Sequence, residues 1–314
     1  MASFLLGQDH IERALSRALA SDRLAHGLLF TGPSGVGRER AARGLAAGLV
    51  CENKIAPFGC QACRNCRRAM AGHHPDVHVL MPEAEAVRRG IAEPDGKRKP
   101  SHDILVDAVR ELAVRLRMAP YEGGARVAIV VDAHRMNGNA QNALLKTLEE
   151  PAQRTFLILV APHVRTVLPT IASRCLRLAF APLSEEDVLA VLTALAVSDA
   201  ALRAKASQGS VARALAADPS APPGAGAALL HALLGGSPAA KMDMAEALGK
   251  ERSDVDAALA DVEQRLAGRM RGDDWRRAIT LLERVADARA AIAGNAAVQL
   301  CLEELLLSGA PAAG

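Results

Sequence analysis

Aromatic side chains are scarce in this 314-residue chain: one Trp, one Tyr and five Phe, 2% of the total. That scarcity argues against a surface on which single-stranded bases stack. It also leaves a core to be built from Ala, Leu and Val. Half of the residues are hydrophobic, enough for a sizeable core, and Ala and Leu favour helix. No apolar run approaches the roughly 20 residues of a membrane helix. A strong charge imbalance is missing too, with 38 Lys and Arg against 35 Asp and Glu for a net +3. A dedicated nucleic-acid binder calls for a clustered basic face instead. The opening MASFLLGQDHIERAL turns charged and amphipathic at once, unlike a signal peptide. The expectation is a soluble, cytoplasmic protein with no membrane partner. In that setting the six cysteines read as metal ligands or buried thiols rather than disulfides. The length predicts two or three domains.

Residues 7–25 predict an amphipathic helix with Ile11, Leu15, Ala18 and Leu19 on one face. A strand over Gly27–Thr31, a glycine-rich loop over Gly32–Gly37 and a helix from Arg38 to about Val50 follow. Further strands are predicted at Val77–Met81, Val127–Val131, Phe156–Val160 and Leu176–Phe180. Helices are predicted over Ile104–Met118 and 139–149, the second stopping before Pro151. On that second helix Leu144, Leu145 and Leu148 have the spacing of core residues. Strands alternating with helices, in continuous apolar runs, predict an α/β fold with a parallel sheet covered on both faces. Residues 82–102, rich in Pro and charge and carrying Lys97-Arg98-Lys99, predict a mobile solvated loop. Beyond Pro182 the chain turns Ala/Leu-rich and helical, and residues 216–226 read as a linker.

Gly32-Pro33-Ser34-Gly35-Val36-Gly37-Arg38-Glu39 has the glycine spacing of a P-loop, between a strand and a helix. Such glycines let backbone N–H groups curl around an anion at a helix N-terminus. A working loop continues with Lys, which reaches the terminal phosphates, and Ser or Thr, which holds Mg²⁺. Arg38 and Glu39 stand there instead. Arg38 keeps the charge as a bulkier planar fork, and Glu39 sets a carboxylate where it repels phosphate. The apolar strand that ends in Asp132 suits a second, metal-holding carboxylate, but the next residue is Ala133, not an acid.

Cys51, Cys60, Cys63 and Cys66 carry the spacing of a four-thiolate metal site, because two-residue gaps let a tight turn present two sulfurs to one ion. An iron–sulfur cluster is the other option for four cysteines. Nothing else in the sequence suggests redox chemistry, so structural Zn²⁺ with a closed shell is favoured. Cys175 and Cys301 read as buried thiols, and His73 and His74 as loop residues.

The order of these motifs resembles one family. GQDHIERAL, GLLFTGPSGVGRE, the four cysteines, HHPDVHVL, YEGGARVAIVVDAHRMN, NALLKTLEEP and LPTIASRC together resemble the clamp-loader branch of AAA+ proteins, subunits of bacterial DNA polymerase III. The resemblance covers about residues 5–180 and continues weakly through QGSVARAL at 208–215. The rest matches only in composition and in the ending NAAVQLCLEELLL. The resemblance implies a RecA-like αβα AAA+ domain over 1–181 with an inserted zinc module at about 51–66. A small helical lid over 182–218 and an all-α collar over 225–314, which joins a ring of subunits, would follow. It implies a noncatalytic, stator-like part in loading the sliding clamp onto primed DNA during replication, within a DNA-directed DNA polymerase holoenzyme. The gamma/tau and delta subunits would be partners, and the clamp and primer–template DNA would be met through the assembled complex. Arg174, between Ser173 and Cys175, takes the place of the family's arginine finger, which acts in a neighbour's ATP site. Arg213 falls where a sensor arginine would lie, or is a lid surface residue. Glu149 and Glu150 are candidates for contact with a neighbouring subunit.

Gly32, Gly35, Gly37, Arg38 and Asp132 then form a degenerate nucleotide site. Intrinsic ATPase is not expected, and ATP binding in cis is left open. The ATP-hydrolysing gamma and tau keep the Lys, the Thr and the Glu that this chain replaces at Arg38, Glu39 and Ala133. Delta normally has neither the four cysteines nor the Ser-Arg-Cys motif. Two other readings stand: an ATP-hydrolysing clamp-loader subunit in which Arg38 substitutes for Lys, and a zinc-ribbon DNA-binding module on a dead scaffold.

Overall fold

The computed structural model describes residues 4–307 apart from 56, 95, 97, 123, 217–224, 236, 250–251, 270–274 and 294–295. Lys97 of the basic run and most of the linker expected at 216–226 lie outside the described residues. By its internal contacts the chain divides into two units, residues 1–216 and 217–314.

The first unit is built on parallel strands β1 (Gly27–Thr31), β2 (Val77–Leu80), β3 (Arg126–Val130), β4 (Thr155–Ala161) and β5 (Leu176–Ala179). They lie in the order β2-β3-β4-β1-β5. β1 pairs with β4 on one side, Gly27 opposite Leu157, and with β5 on the other, Leu28 opposite Leu176. All five of its residues are buried. Successive side chains of a strand point to opposite faces, so β1 feeds two cores. Leu28 and Phe30 join Ala41, Ala42 and Leu45 of helix α2 (Arg38–Leu49). Leu29 joins Leu112 and Leu116 of α5 (Val106–Arg117) and Leu144 and Leu148 of α6 (Gly138–Glu149). Leu145, expected in the core with them, packs only partly buried against it.

Helix α1 (Asp9–Ala20) is shorter than the predicted 7–25. Gly7 and Asp22 both take positive φ, 69° and 53°, and such backbone cannot continue a right-handed helix. Two helices were not anticipated. α3 (Arg64–Ala71) starts on Cys63, whose sulfur accepts from the Cys66 N–H, and ends at left-handed Gly72. α4 (Glu83–Arg88) lies inside the segment expected to be a mobile loop. Pro82 precedes it, Glu83 and Glu85 sit in its first turn, and Glu85 pairs with Arg88 and Arg89 one turn on. Acids at a helix start and pairs at this spacing favour helix. They decide the matter over the local Pro and charge content.

Helices α7 (Pro169–Ala172), α8 (Glu185–Ala194), α9 (Ala200–Ala206) and α10 (Val211–Ala216) complete the first unit. Val188, Leu192, Ala204 and Ala214 form a small core of their own within it. In the second unit α11 (Ala225–Leu234), α12 (Pro238–Leu248), α13 (Arg252–Arg269), α14 (Trp275–Ala293) and α15 (Val298–Leu307) surround a core that includes Leu229, Leu233, Leu259, Val262, Leu302 and Leu306. Among the described residues, no helix is long and apolar enough to cross a membrane.

One polar group is buried where β2 and β3 begin. Asp76 is fully buried, and its carboxylate accepts from the N–H groups of Tyr121 and Glu122 at 2.7 and 2.9 Å and from Arg126 at 3.2 Å. Arg126 also donates to the carbonyls of Arg115 and Ala119. Removing one partner of a buried pair leaves the other charge uncompensated and costs about 3–5 kcal/mol. Asp76→Ala should therefore lower the unfolding free energy of the first unit, read from a urea melt, by an amount of that order. A change within about 0.5 kcal/mol would show that the network contributes nothing.

Candidate functional site

The glycine-rich loop leaves the C-terminal end of β1. Gly32, Gly35 and Gly37 all take positive φ, 143°, 75° and 94°. The loop is also too crowded for side chains: a Cβ on Gly32 would lie 2.4 Å from the Phe180 carbonyl oxygen, and one on Gly35 2.3 Å from Ser210 Oγ. The loop opens into a cleft of about 680 Å³. One wall is apolar, with Leu5, Leu183, Val191 and Leu215, and the floor carries Arg38 and Asp132. From α10 the lining residues are Val211, Ala212 and Leu215, not Arg213.

The charges around Glu39 are committed to one another, whereas Arg38 is not. Arg38 is 9% exposed, and its Nη1 is buried without a hydrogen-bond partner. Burial pushes its pKa down, and the Asp132 carboxylate offsets part of that. Glu39, at the position of a Mg²⁺-binding hydroxyl, receives Arg89 Nη1 on both oxygens at 2.8 and 2.9 Å, and Arg43 at 2.9 Å. Burial would raise the Glu39 carboxyl, but the hydrogen bonds and charges of Arg89 and Arg43 outweigh it and hold it below the ordinary carboxylate range. Arg89 is shared with Glu85 at 2.5 Å, so the residues following β2 reach across to the start of α2. Asp132 follows β3 with φ 53°, and Ala133 is fully buried. His134 beside it has a buried Nδ1 with no partner, and burial lowers its pKa.

The sequence had marked the loop, Arg38, Glu39, Asp132 and Ala133, but not the partners of Glu39. Arg43 was legible as a neighbour four residues along a helix. Arg89 was not, because it lies fifty positions further along the chain, beyond a strand.

Cys51, Cys60, Cys63 and Cys66 are brought together, with all four sulfurs within 4.8 Å of one another. The Cys60 and Cys66 sulfurs are 4.0 Å apart, close to the roughly 3.8 Å edge of a tetrahedron with 2.3 Å metal–sulfur bonds. Backbone N–H groups point at the sulfurs, from Cys60 to Cys51, Cys63 to Cys60 and Cys66 to Cys63 at 3.3–3.4 Å. Those of Ala62 and Cys63 pull the Cys60 thiol down to about 6. Burial pushes the Cys66 thiol up. The donor set and spacing fit a structural zinc. His74 lies outside the cluster, buried, with its Nδ1 accepting from the Asp76 N–H. Cys175 and Cys301, expected to be buried, are each only partly so. Burial still raises the Cys175 thiol to about 11.

Arg174 lies at the opposite end of β1. A Cβ on Gly27 would meet the Arg174 carbonyl at 3.1 Å. The side chain is 39% exposed, and its guanidinium pairs with Glu149 at 2.8 Å and donates to the Thr170 carbonyl at 2.9 Å.

A glycine-rich loop at the C-terminal end of β1, opening a helix and set beside an acid after β3 on a parallel sheet, has the frame of a P-loop domain. The family model described as DNA polymerase III, delta subunit, matches residues 7–184, and the chain belongs to that family, on its delta-prime side. The DNA polymerase III subunit delta-prime of Pseudomonas aeruginosa is 39% identical over 153 residues, 49% of this chain and 42% of that one. The subunit tau of Escherichia coli is 33% identical over 184 residues, 59% of this chain and 26% of that one. The chain thus spans less than half the length of either relative. A gamma-subunit-related protein of Thermotoga maritima superposes with TM-score 0.44 at 16% identity, covering 96% of this chain and 98% of that one.

If four thiolates hold one ion, elemental analysis of protein purified without chelator should return about one zinc per chain. Cys63→Ser should lose most of that metal and lower the melting temperature. Iron with a visible absorbance band would assign the cluster to iron–sulfur instead.

Proposed function

We propose that this chain is a noncatalytic, stator-like subunit of the DNA polymerase III clamp loader. It would work beside gamma/tau and delta subunits, assist placement of the sliding clamp on primed DNA, and lend Arg174 to a neighbour's ATP site. The observation that carries the noncatalytic part is the state of Glu39. A Mg²⁺ ion needs an oxygen ligand at this position and room for its waters. Glu39 instead spends both its oxygens on Arg89 and Arg43. Ala133 adds no base to orient an attacking water, so both hydrolytic contributions of the protein are missing from one cleft.

Distance supports the part played in trans. The Arg174 backbone packs against Gly27, whereas the glycine loop begins after Thr31 at the other end of β1. Five strand residues span about 16 Å, beyond the reach of an arginine side chain. Arg174 therefore has no access to its own cleft, yet it is exposed enough to meet another chain. A guanidinium can offset the charge that builds on a transferred phosphoryl group. Zinc at the four cysteines would be structural, because a closed thiolate shell leaves no position for substrate. The separate lid (182–218) and collar (225–314) stay part of this proposal, the collar providing contacts with the ring.

The rival, an ATP-hydrolysing subunit, draws on the open cleft with Arg38 in its floor. One pair of experiments separates the two. The isolated chain with millimolar MgATP should release no phosphate above background, and turnover at an ordinary AAA+ rate would favour the rival. In the complex reconstituted with its partner subunits, Arg174→Ala should leave assembly intact and cut steady-state ATPase about tenfold or more. Unchanged turnover would remove the finger from the proposal.

A further inference from the structure

We infer that Glu149 is a positioning residue that aims Arg174 out of the molecule. The inference rests on the arginine acting in a neighbour's site and adds what holds it in place. The guanidinium is fixed at two points: Nη2 pairs with the Glu149 carboxylate at 2.8 Å, and Nη1 donates to the Thr170 carbonyl at 2.9 Å. A guanidinium has five N–H donors in one plane. Two are engaged here, and three remain for a ligand outside. The Thr170 anchor is local, four residues back on the same turn. The Glu149 anchor comes from another helix, so it alone fixes the arginine relative to the sheet.

The base of that anchor is rigid. Glu149 is the last residue of α6, and Leu148 before it is 2% exposed. The Leu148 carbonyl is held by His26 Nε2 at 2.7 Å. Beside it, Gly27 is where β1, the end of α6 and the Arg174 turn converge. A Cβ there would lie 2.8 Å from Leu148 Cδ2, 3.1 Å from the Arg174 carbonyl and 3.2 Å from the Cys175 sulfur. With no slack between the end of α6 and the Arg174 turn, the carboxylate and the guanidinium are brought to bonding distance by the packing beneath them.

The pair is too exposed to serve stability. Its side chains are 39% and 47% accessible, and ion pairs of this kind contribute little or nothing measurable to folding. What it restricts is the swing of a long side chain with several rotatable bonds. For a group that must meet a phosphoryl oxygen, small misplacements are costly, up to about a hundredfold for 1 Å.

The experiment is steady-state ATPase of the complex reconstituted with its partner subunits, comparing Glu149→Ala, Glu149→Gln and Arg174→Ala at saturating and limiting ATP, with assembly followed by gel filtration. Glu149→Ala should lower kcat about fivefold, with KM for ATP changed less than about twofold and assembly unaltered. Glu149→Gln, which keeps an oxygen acceptor, should recover most of the loss. If Arg174→Ala lowers kcat and Glu149→Ala does not, the positioning role is overturned and the finger stands. If neither lowers it, the finger itself has failed. A Glu149→Gln variant as slow as Glu149→Ala, or a Glu149→Ala chain that no longer assembles, also overturns the role, the latter by making Glu149 an interface contact.

Discussion

The structure of the first unit depends on the complete burial of β1. A strand with neighbours on both edges and helices on both faces has every backbone group paired and every side chain removed from water. Such a strand cannot shift by one residue without exchanging its two cores. Its ends are consequently fixed points, and each carries one of the two features that matter. The glycine loop and the cleft sit at the C-terminal end, and the Arg174–Glu149 pair at the N-terminal end. The separation that bars Arg174 from its own cleft is a property of strand length.

Within the cleft, the competition is between internal ion pairs and an incoming ligand. Taken singly, partly exposed pairs such as Glu39–Arg89 are weak. Their arrangement matters more than their strength. Glu39 is held by two arginines, and Arg89 by two carboxylates, so displacing either disturbs two others. A metal ion would have to displace the arginines to reach Glu39, and phosphates would face a carboxylate in place of a hydroxyl. Arg38 differs, since its Nη1 has no partner and the nearest compensation is the charge of Asp132. Glu39 is thus committed to arginines, while Arg38 still presents a cationic group to the cleft.

How much of this was legible in the sequence follows from how local each signal is. β1, its glycine loop and α2 are contiguous, and hydrophobic runs with glycine spacing mark them within a residue or two. The cysteine cluster was legible for the same reason, with three ligands inside seven residues. Helix α3, which presents the last of them, was hidden because its cap is a cysteine sulfur rather than an ordinary capping oxygen. Helix α4 was mistaken for loop because Pro and charge read as breakers, while the pairs that stabilise it look like solvated charge. The closure of Arg89 on Glu39 and of Glu149 on Arg174 had no sequence signal. Both join residues distant in the chain, and only the packing of the sheet brings them together.

The glycine loop also has a structural role in the first unit. The Gly35 carbonyl accepts the Val211 N–H at 2.9 Å, and the space a Cβ would occupy on Gly35 is filled by Ser210 and Ala212. Gly32 is likewise closed over by the Phe180 carbonyl at the end of β5. The loop is the surface on which α10 rests, so its glycines are required by the helices after β5 whether or not a nucleotide is present. Arg38 and Glu39, which line the cleft, make their contacts through side chains instead. The glycines are thus tied to the fold, while Arg38 and Glu39 face the cleft.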